Sequence, residues 1–437
     1  MDFKLTNLSR NIIFTFFRQL ISIVISLGLS VFLARTLGPE GNGLYALAIL
    51  LPTLLTSFLN LGIAPANVYF ISRNEISLKD AFYLNLLLSG MISLLGLFSG
   101  ILIIFFLGDY LFPKVPNLLL WVSLIVFPVS LIQSFSLSLL QGIQDFDRFN
   151  KILIITPIIN FIFILVIIWL LKLNVLGAVI GYGLSQISSL FLTIYFLRPY
   201  LADKDSVMAL KEQTKKSLSY GWKAHLSNIL AFLNYRLDIF LVNFFLDPVA
   251  TGIYVIAVQI AERLWIFSGA VSTVLLPRLS ELHEDEIKRR ALTPIIARWV
   301  LLVTFLFSIF IAFTSEFFIK ILFGEEYFKA SLVLLLLLPG IVCGSFSRIL
   351  ANDLAARGKP ELNMYTALII VTVNAIANII LIPRLGINGA AVATTLSYSS
   401  NTMTKLYLYS KCSQNKWWKP IVIGREDFAL IKRVLQR

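Results

Sequence analysis

LGPEGNGLYALA at residues 37–48 and LDPVATGIYVIA at residues 246–257 share leucine, proline, glycine, tyrosine and alanine in register, at an offset of 209 positions. Outward from this pair, Pro128 followed by SFS at 134–136 matches Pro339 followed by SFS at 345–347, at an offset of 211. Further on, LGAVIGYGLS at 176–185 matches NGAAVATTLS at 388–397, at an offset of 212. Three matches in one order and at nearly one spacing mark a duplicated unit.

The stretches between these markers are apolar. Of 437 residues, 58% are hydrophobic and 14% charged, with mean hydropathy +0.84, whereas soluble domains carry roughly a quarter charged residues. A bilayer crossing needs about 20 mostly apolar residues. Runs of that length lie near 11–34, 44–71, 81–107, 118–141, 151–172, 177–197, 221–246, 251–276, 295–323, 330–351, 363–383 and 387–410. The first is too long for the core of a secretory leader and lacks a small-residue cleavage site, so it reads as a retained span. The expectation is an all-α integral membrane protein of about twelve spans. Residues 1–200 form one six-helix lobe, 201–220 a cytoplasmic linker, 221–410 a second lobe and 411–437 a basic amphipathic tail. Six spans per lobe make the repeats parallel, an architecture that transporters use to enclose a central site.

Net charge is +13, which in a soluble chain would raise nucleic acid as a partner. Here the basic residues flank apolar spans. With the N-terminus in the cytoplasm, 29 of the 37 Lys and Arg fall on the inner side, a bias that sets both termini inside under the positive-inside rule and excludes a nucleic-acid role as the reason for the charge. Cys343 and Cys412 have neither the number nor the spacing for disulfides or a metal site. There is no G-x-x-x-x-G-K-[ST] phosphate loop and no G-x-S-x-G, so no catalytic residue, metal or nucleotide cofactor is expected and the chain does not read as an enzyme.

A charged side chain at membrane depth is costly and marks a cavity or a pair. Such charges collect in three spans: Arg18 in the first, Arg236 and Asp238 in the seventh, Glu262 and Arg263 in the eighth. Asn11, Thr15, Arg18, Ser22 and Ser26 recur at helical spacing on one stripe. On the seventh span, His225, Asn228, Tyr235, Arg236 and Asn243 share one face, and Asp238 the other. Arg18, Arg236 and Arg263, helped by Ser22, Asn228 and Tyr235, are read as the substrate-binding set, because a guanidinium stays charged and binds phosphate oxygens bidentately. Asp238 and Glu262 are read as carriers of a coupling ion, with salt bridges to the neighbouring arginines as the competing reading. Arg348, near the inner end of the tenth span, is expected to reach the head groups.

LARTLGPEGNGLYALA at 33–48, NYRLDIFLVNFF at 234–245, LPRLSEL at 276–282 and the closing GINGAAVATTLS at 386–397 together resemble the polysaccharide-transporter branch, the O-antigen or repeat-unit flippases, of the multidrug/oligosaccharidyl-lipid/polysaccharide (MOP) exporter superfamily. The resemblance covers essentially the whole chain. It implies two six-helix lobes in a V around a central cavity, alternating access driven by a proton or sodium gradient, and transfer of undecaprenyl-pyrophosphate-linked oligosaccharides to the outer leaflet of the bacterial inner membrane. It also implies membrane lipids, a polysaccharide polymerase and chain-length machinery as partners. Two alternatives stand beside it: a multidrug or small-cation antiporter of the same superfamily, and a membrane-embedded polymerase or glycosyltransferase.

Overall fold

The computed structural model describes residues 2–202, 210–282, 285–422 and 424. Most of the basic tail, the middle of the 201–220 linker and the side chains of Asn11 and Thr15 lie outside the described residues. Fourteen helices run in chain order: α1 (Asp2–Leu59), α2 (Ile63–Ser72), α3 (Leu78–Leu102), α4 (Gly108–Leu111), α5 (Asn117–Gly142), α6 (Phe146–Leu171), α7 (Asn174–Leu197), α8 (Leu210–Phe245), α9 (Pro248–Arg263), α10 (Trp265–Glu281), α11 (Glu286–Phe323), α12 (Lys329–Ala356), α13 (Pro360–Leu385) and α14 (Ile387–Ser413). The all-α membrane fold expected from hydropathy is the fold adopted.

Nine helices among the described residues are long and apolar enough to cross a bilayer, and α9 with α10, bent by 40°, adds a broken tenth span. The difference from twelve has two causes. The apolar part of α1, Phe17–Leu59, is 43 residues long, about 64 Å at 1.5 Å per residue and twice the roughly 30 Å of a bilayer core. It breaks at Gly38, whose φ of 65° and ψ of −178° leave the helical region; only glycine takes that conformation without strain, so the helix turns there and passes twice. α14 is 27 residues long, but Ser, Thr, Asn and Tyr on its packed side keep its hydropathy low. Its packing identifies it as a span. α5 and α6 pack on α7 just as α12 and α13 pack on α14, and α3 meets α5 as α11 meets α12.

The chain divides into two compact units, Met1–Gly252 and Ile253–Arg437. In the first, Leu47, Leu51, Leu84, Leu120, Phe127, Leu131 and Phe135 build the core. In the second, Leu275, Leu279, Ala297, Phe346, Ile349, Leu350 and Tyr409 play that part beside α11. Without water, helix contacts in lipid rely on packing and interhelical hydrogen bonds worth about 0.6–2 kcal/mol each. Gln133 Nε2 on α5 donates to Ser189 Oγ at 2.7 Å and Thr193 Oγ1 at 3.0 Å on α7. In the matching pair of the second repeat, Asn401 Nδ2 donates to Ser347 Oγ at 3.1 Å, and Thr395 Oγ1 to the Leu336 carbonyl at 2.6 Å, in the turn that Pro339 loosens.

The opening pair of repeat segments meets in space. A Cβ on Gly43 would lie 1.8 Å from the Pro248 carbonyl oxygen, and a Cβ on Gly252 would lie 1.9 Å from that of Pro39. Each glycine faces the proline of the other segment, and the two prolines and the two glycines are themselves offset by 209 positions. Contacts that exchange under the sequence offset are those a local two-fold axis imposes.

Candidate functional site

The interior charges are candidate site residues, and each unit carries some of them. Arg18, Ser22, Asn228, Tyr235, Arg236 and Asp238 lie in the first, Glu262 and Arg263 in the second. On α1, Arg18 is half-buried, and its Nε is buried without a hydrogen-bond partner among the described residues. That is costly for an ionised donor and suits a site awaiting an acceptor. Ser22 and Ser26, on the same stripe, spend their hydroxyls on backbone carbonyls: Ser22 Oγ donates to Leu153 of α6 at 3.4 Å and Ser26 Oγ to Ile23 at 3.0 Å.

On α8, Arg236 Nη1 donates to the Tyr235 carbonyl at 3.1 Å. Asp238 is buried, and its Oδ1 accepts from the Ile239 amide at 2.8 Å. Asn228 Nδ2 donates to Asn60 Oδ1 at 3.4 Å, where α1 gives way to α2. This junction is tight. Gly62 takes a φ of 68°, and a Cβ there would lie 1.9 Å from the Gly221 carbonyl oxygen of α8. Phe58 meets Phe232 edge-on at 6.0 Å. The sequence stripes of α1 and α8 are thus carried on helices that pack on each other. Glu262 and Arg263 end α9 at the bend before Trp265 opens α10.

The structure adds a groove of about 850 Å³ where the end of α2 meets the start of α8, lined by Tyr69, Phe70, Arg73, Lys215, Lys216 and Tyr220 among others. The rings of Tyr69 and Tyr220 stack with centroids 4.3 Å apart. The Arg73 guanidinium stands 4.6 Å from the Tyr69 ring, and its Nη1 donates to the Tyr69 hydroxyl at 2.6 Å. Arg73 and Lys216 have acidic neighbours in Glu75 (3.5 Å) and Glu212 (3.9 Å). Lys215 has no ion pair among the described residues. From sequence this basic run reads as a cytoplasmic linker, solvated or in contact with anionic head groups; its aromatic partners come from a helix about 150 positions earlier.

Arg348, expected near the head groups, has its guanidinium 5.5 Å from the Trp265 ring. Nothing local signals this contact, since Trp265 is 83 residues away in the chain.

Comparison with known proteins agrees with this architecture. The sequence pattern of a family described as polysaccharide biosynthesis protein matches residues 32–332. A Haloferax volcanii protein described as a probable low-salt glycan biosynthesis flippase, Agl15, is 29% identical over 202 residues, which cover 46% of this chain and 43% of that protein. The match therefore spans less than half of that relative's length. A putative O-antigen transporter of Shigella flexneri is 25% identical over 430 residues, 92% of this chain and 98% of that protein. Among solved structures, the lipid II flippase MurJ in an inward closed conformation superposes with a TM-score of 0.76 at 18% identity, covering 97% of this chain and 96% of that one. An inward-facing multidrug-resistance MATE transporter of the MOP superfamily superposes with a TM-score of 0.68 at 14% identity, covering 90% and 96%. At these identities the likeness is one of fold.

Proposed function

Because the chain belongs to the polysaccharide biosynthesis protein family, we propose that it is a flippase that moves undecaprenyl-pyrophosphate-linked oligosaccharide units from the cytoplasmic to the outer leaflet by alternating access. The observation that carries this reading is the half-buried Arg18, whose Nε meets no acceptor among the described residues, on a helix packed against the one that bears Arg236. A diphosphate supplies the acceptor that the Arg18 Nε lacks, and guanidinium binds it in two-point fashion. Relatives described as a glycan flippase and an O-antigen transporter support the cargo class. Asp238 and Glu262 are proposed to take the coupling cation, and the termini to lie in the cytoplasm, where the bias of Lys and Arg puts them. The groove at Arg73, Lys215, Tyr69 and Tyr220 then opens on the inner side, where stacked tyrosines suit sugar faces and the basic groups suit phosphate.

The test is replacement of the cations. Arg18→Ala or Arg236→Ala is expected to reduce surface polysaccharide at least about tenfold, the equivalent of one lost charge-assisted contact, with protein in the membrane at wild-type level. Lipid-linked units should accumulate on the cytoplasmic leaflet when the gene is deleted. Normal polymer from both variants, or accumulation on the outer leaflet, overturns the reading.

A further inference from the structure

The second unit holds a pair of cations that the flippase reading does not use. Arg348 on α12 and Lys405 on α14 are both half-buried. They sit side by side: the helix contact above them is fixed by the Asn401–Ser347 hydrogen bond and by Thr402 Oγ1 donating to the Cys343 carbonyl at 2.8 Å. Lys405 lies one turn beyond Asn401, and Arg348 directly follows Ser347. Among the described residues neither cation has an ion pair or a hydrogen bond. The nearest acid along α12, Asp353, is already held by Arg357 and Thr293.

Trp265 closes the cluster from α10. Its ring lies under Arg348, its Nε1 donates to the Ile341 carbonyl at 3.2 Å, and Tyr398 meets it edge-on at 5.5 Å. The indole is therefore fixed before any ligand arrives. A cation over an aromatic face is stabilised, but a second positive charge beside it in a desolvated position is not. Two adjacent uncompensated cations on a rigid floor need an anion.

Depth says which anion. Lys405 and Arg348 lie 18 and 19 residues into their helices, about 27–29 Å from the helix starts and close to the roughly 30 Å thickness of the hydrocarbon core. That is the level of a lipid phosphate. We propose that Arg348, Lys405 and Trp265 form a phosphate-binding site that holds the phosphate head of the lipid-linked cargo within the second unit. The assignment rests on the flippase reading for the identity of the cargo. The chemistry alone fits any phosphate-bearing lipid.

The full-length protein in nanodiscs, followed by thermal unfolding, tests it. Inorganic pyrophosphate and undecaprenyl diphosphate are expected to raise the midpoint of the wild type, and undecaprenol to leave it unchanged. Arg348→Ala and Lys405→Met should weaken that response about tenfold or more, while Lys405→Arg retains it. Without ligand, Lys405→Met should unfold at a temperature no lower than the wild type, because the variant removes repulsion; a merely structural lysine predicts the opposite. Unchanged pyrophosphate response in both variants overturns the proposal. So does stabilisation by phosphatidylglycerol over phosphatidylcholine discs with no response to pyrophosphate, which would give the pair to the bulk lipid. Both failures leave the surface-glycan phenotype of Arg18 and Arg236 standing, so loss of this site is distinguishable from loss of the flippase reading.

Discussion

Gly43→Ala and Gly252→Ala are each expected to destabilise the protein by about 1–3 kcal/mol, the usual cost of overpacking, and the double variant by little more than either alone. At Gly43 the new methyl would meet the Pro248 carbonyl at 1.8 Å, and at Gly252 that of Pro39 at 1.9 Å, against about 3.3–3.6 Å for a relaxed carbon–oxygen contact. A backbone carbonyl cannot rotate away as a side chain can, so the two segments must part. Once they have parted for one methyl, the second enters space already made, and this coupling is what neighbouring sites show. Gly90→Ala is the control: nothing lies within 4 Å of its Cβ position, and no loss is expected. Unfolding of the detergent-purified variants measures all four. Additive losses would mean that the two glycines do not share one crossing.

Asp353→Leu is expected to cost about 3–5 kcal/mol, the penalty for leaving one partner of a buried ion pair behind. Asp353 is fully buried on α12 and pairs with Arg357, which is 6% exposed. Its other oxygen accepts from Thr293 Oγ1 of α11 at 2.7 Å. Arg357 reaches on to Glu286 at 2.6 Å, and Glu286 also binds Arg289 and, at 3.0 Å, Arg290. The network ties the start of α11 to the end of α12. Removing both charges with Asp353→Leu and Arg357→Met should recover part of the loss, since Arg357 then no longer stays buried with Glu286 as its one remaining acid partner among the described residues. The comparison needs only urea or thermal unfolding of three variants. A double variant less stable than Asp353→Leu would show that the pair contributes net attraction instead.

The candidate site was only partly legible. Arg18, Arg236 and Asp238 stand out because a charge in an apolar run is conspicuous without any partner being known. Ser22 shares the stripe of Arg18, yet it hydrogen-bonds the backbone of α6, an acceptor 131 positions away that periodicity cannot reveal. Lys215 and Arg348 escape for the same reason. One sits in a basic run and the other near a helix end, where a cation needs no explanation, and only the rings of Tyr69, Tyr220 and Trp265 give them a setting.

Hydropathy, the positions of Lys and Arg and the repeat at an offset of 209 are properties of the chain read in order. They were enough for the bilayer, the helices and the duplication, because a helix satisfies its own backbone and a span is decided by about 20 consecutive residues. Which interior polar groups are partnered across helices and which glycines touch were decided by tertiary structure alone. Each depends on a short-range contact, steric or electrostatic, between residues that sequence order keeps tens to hundreds of positions apart.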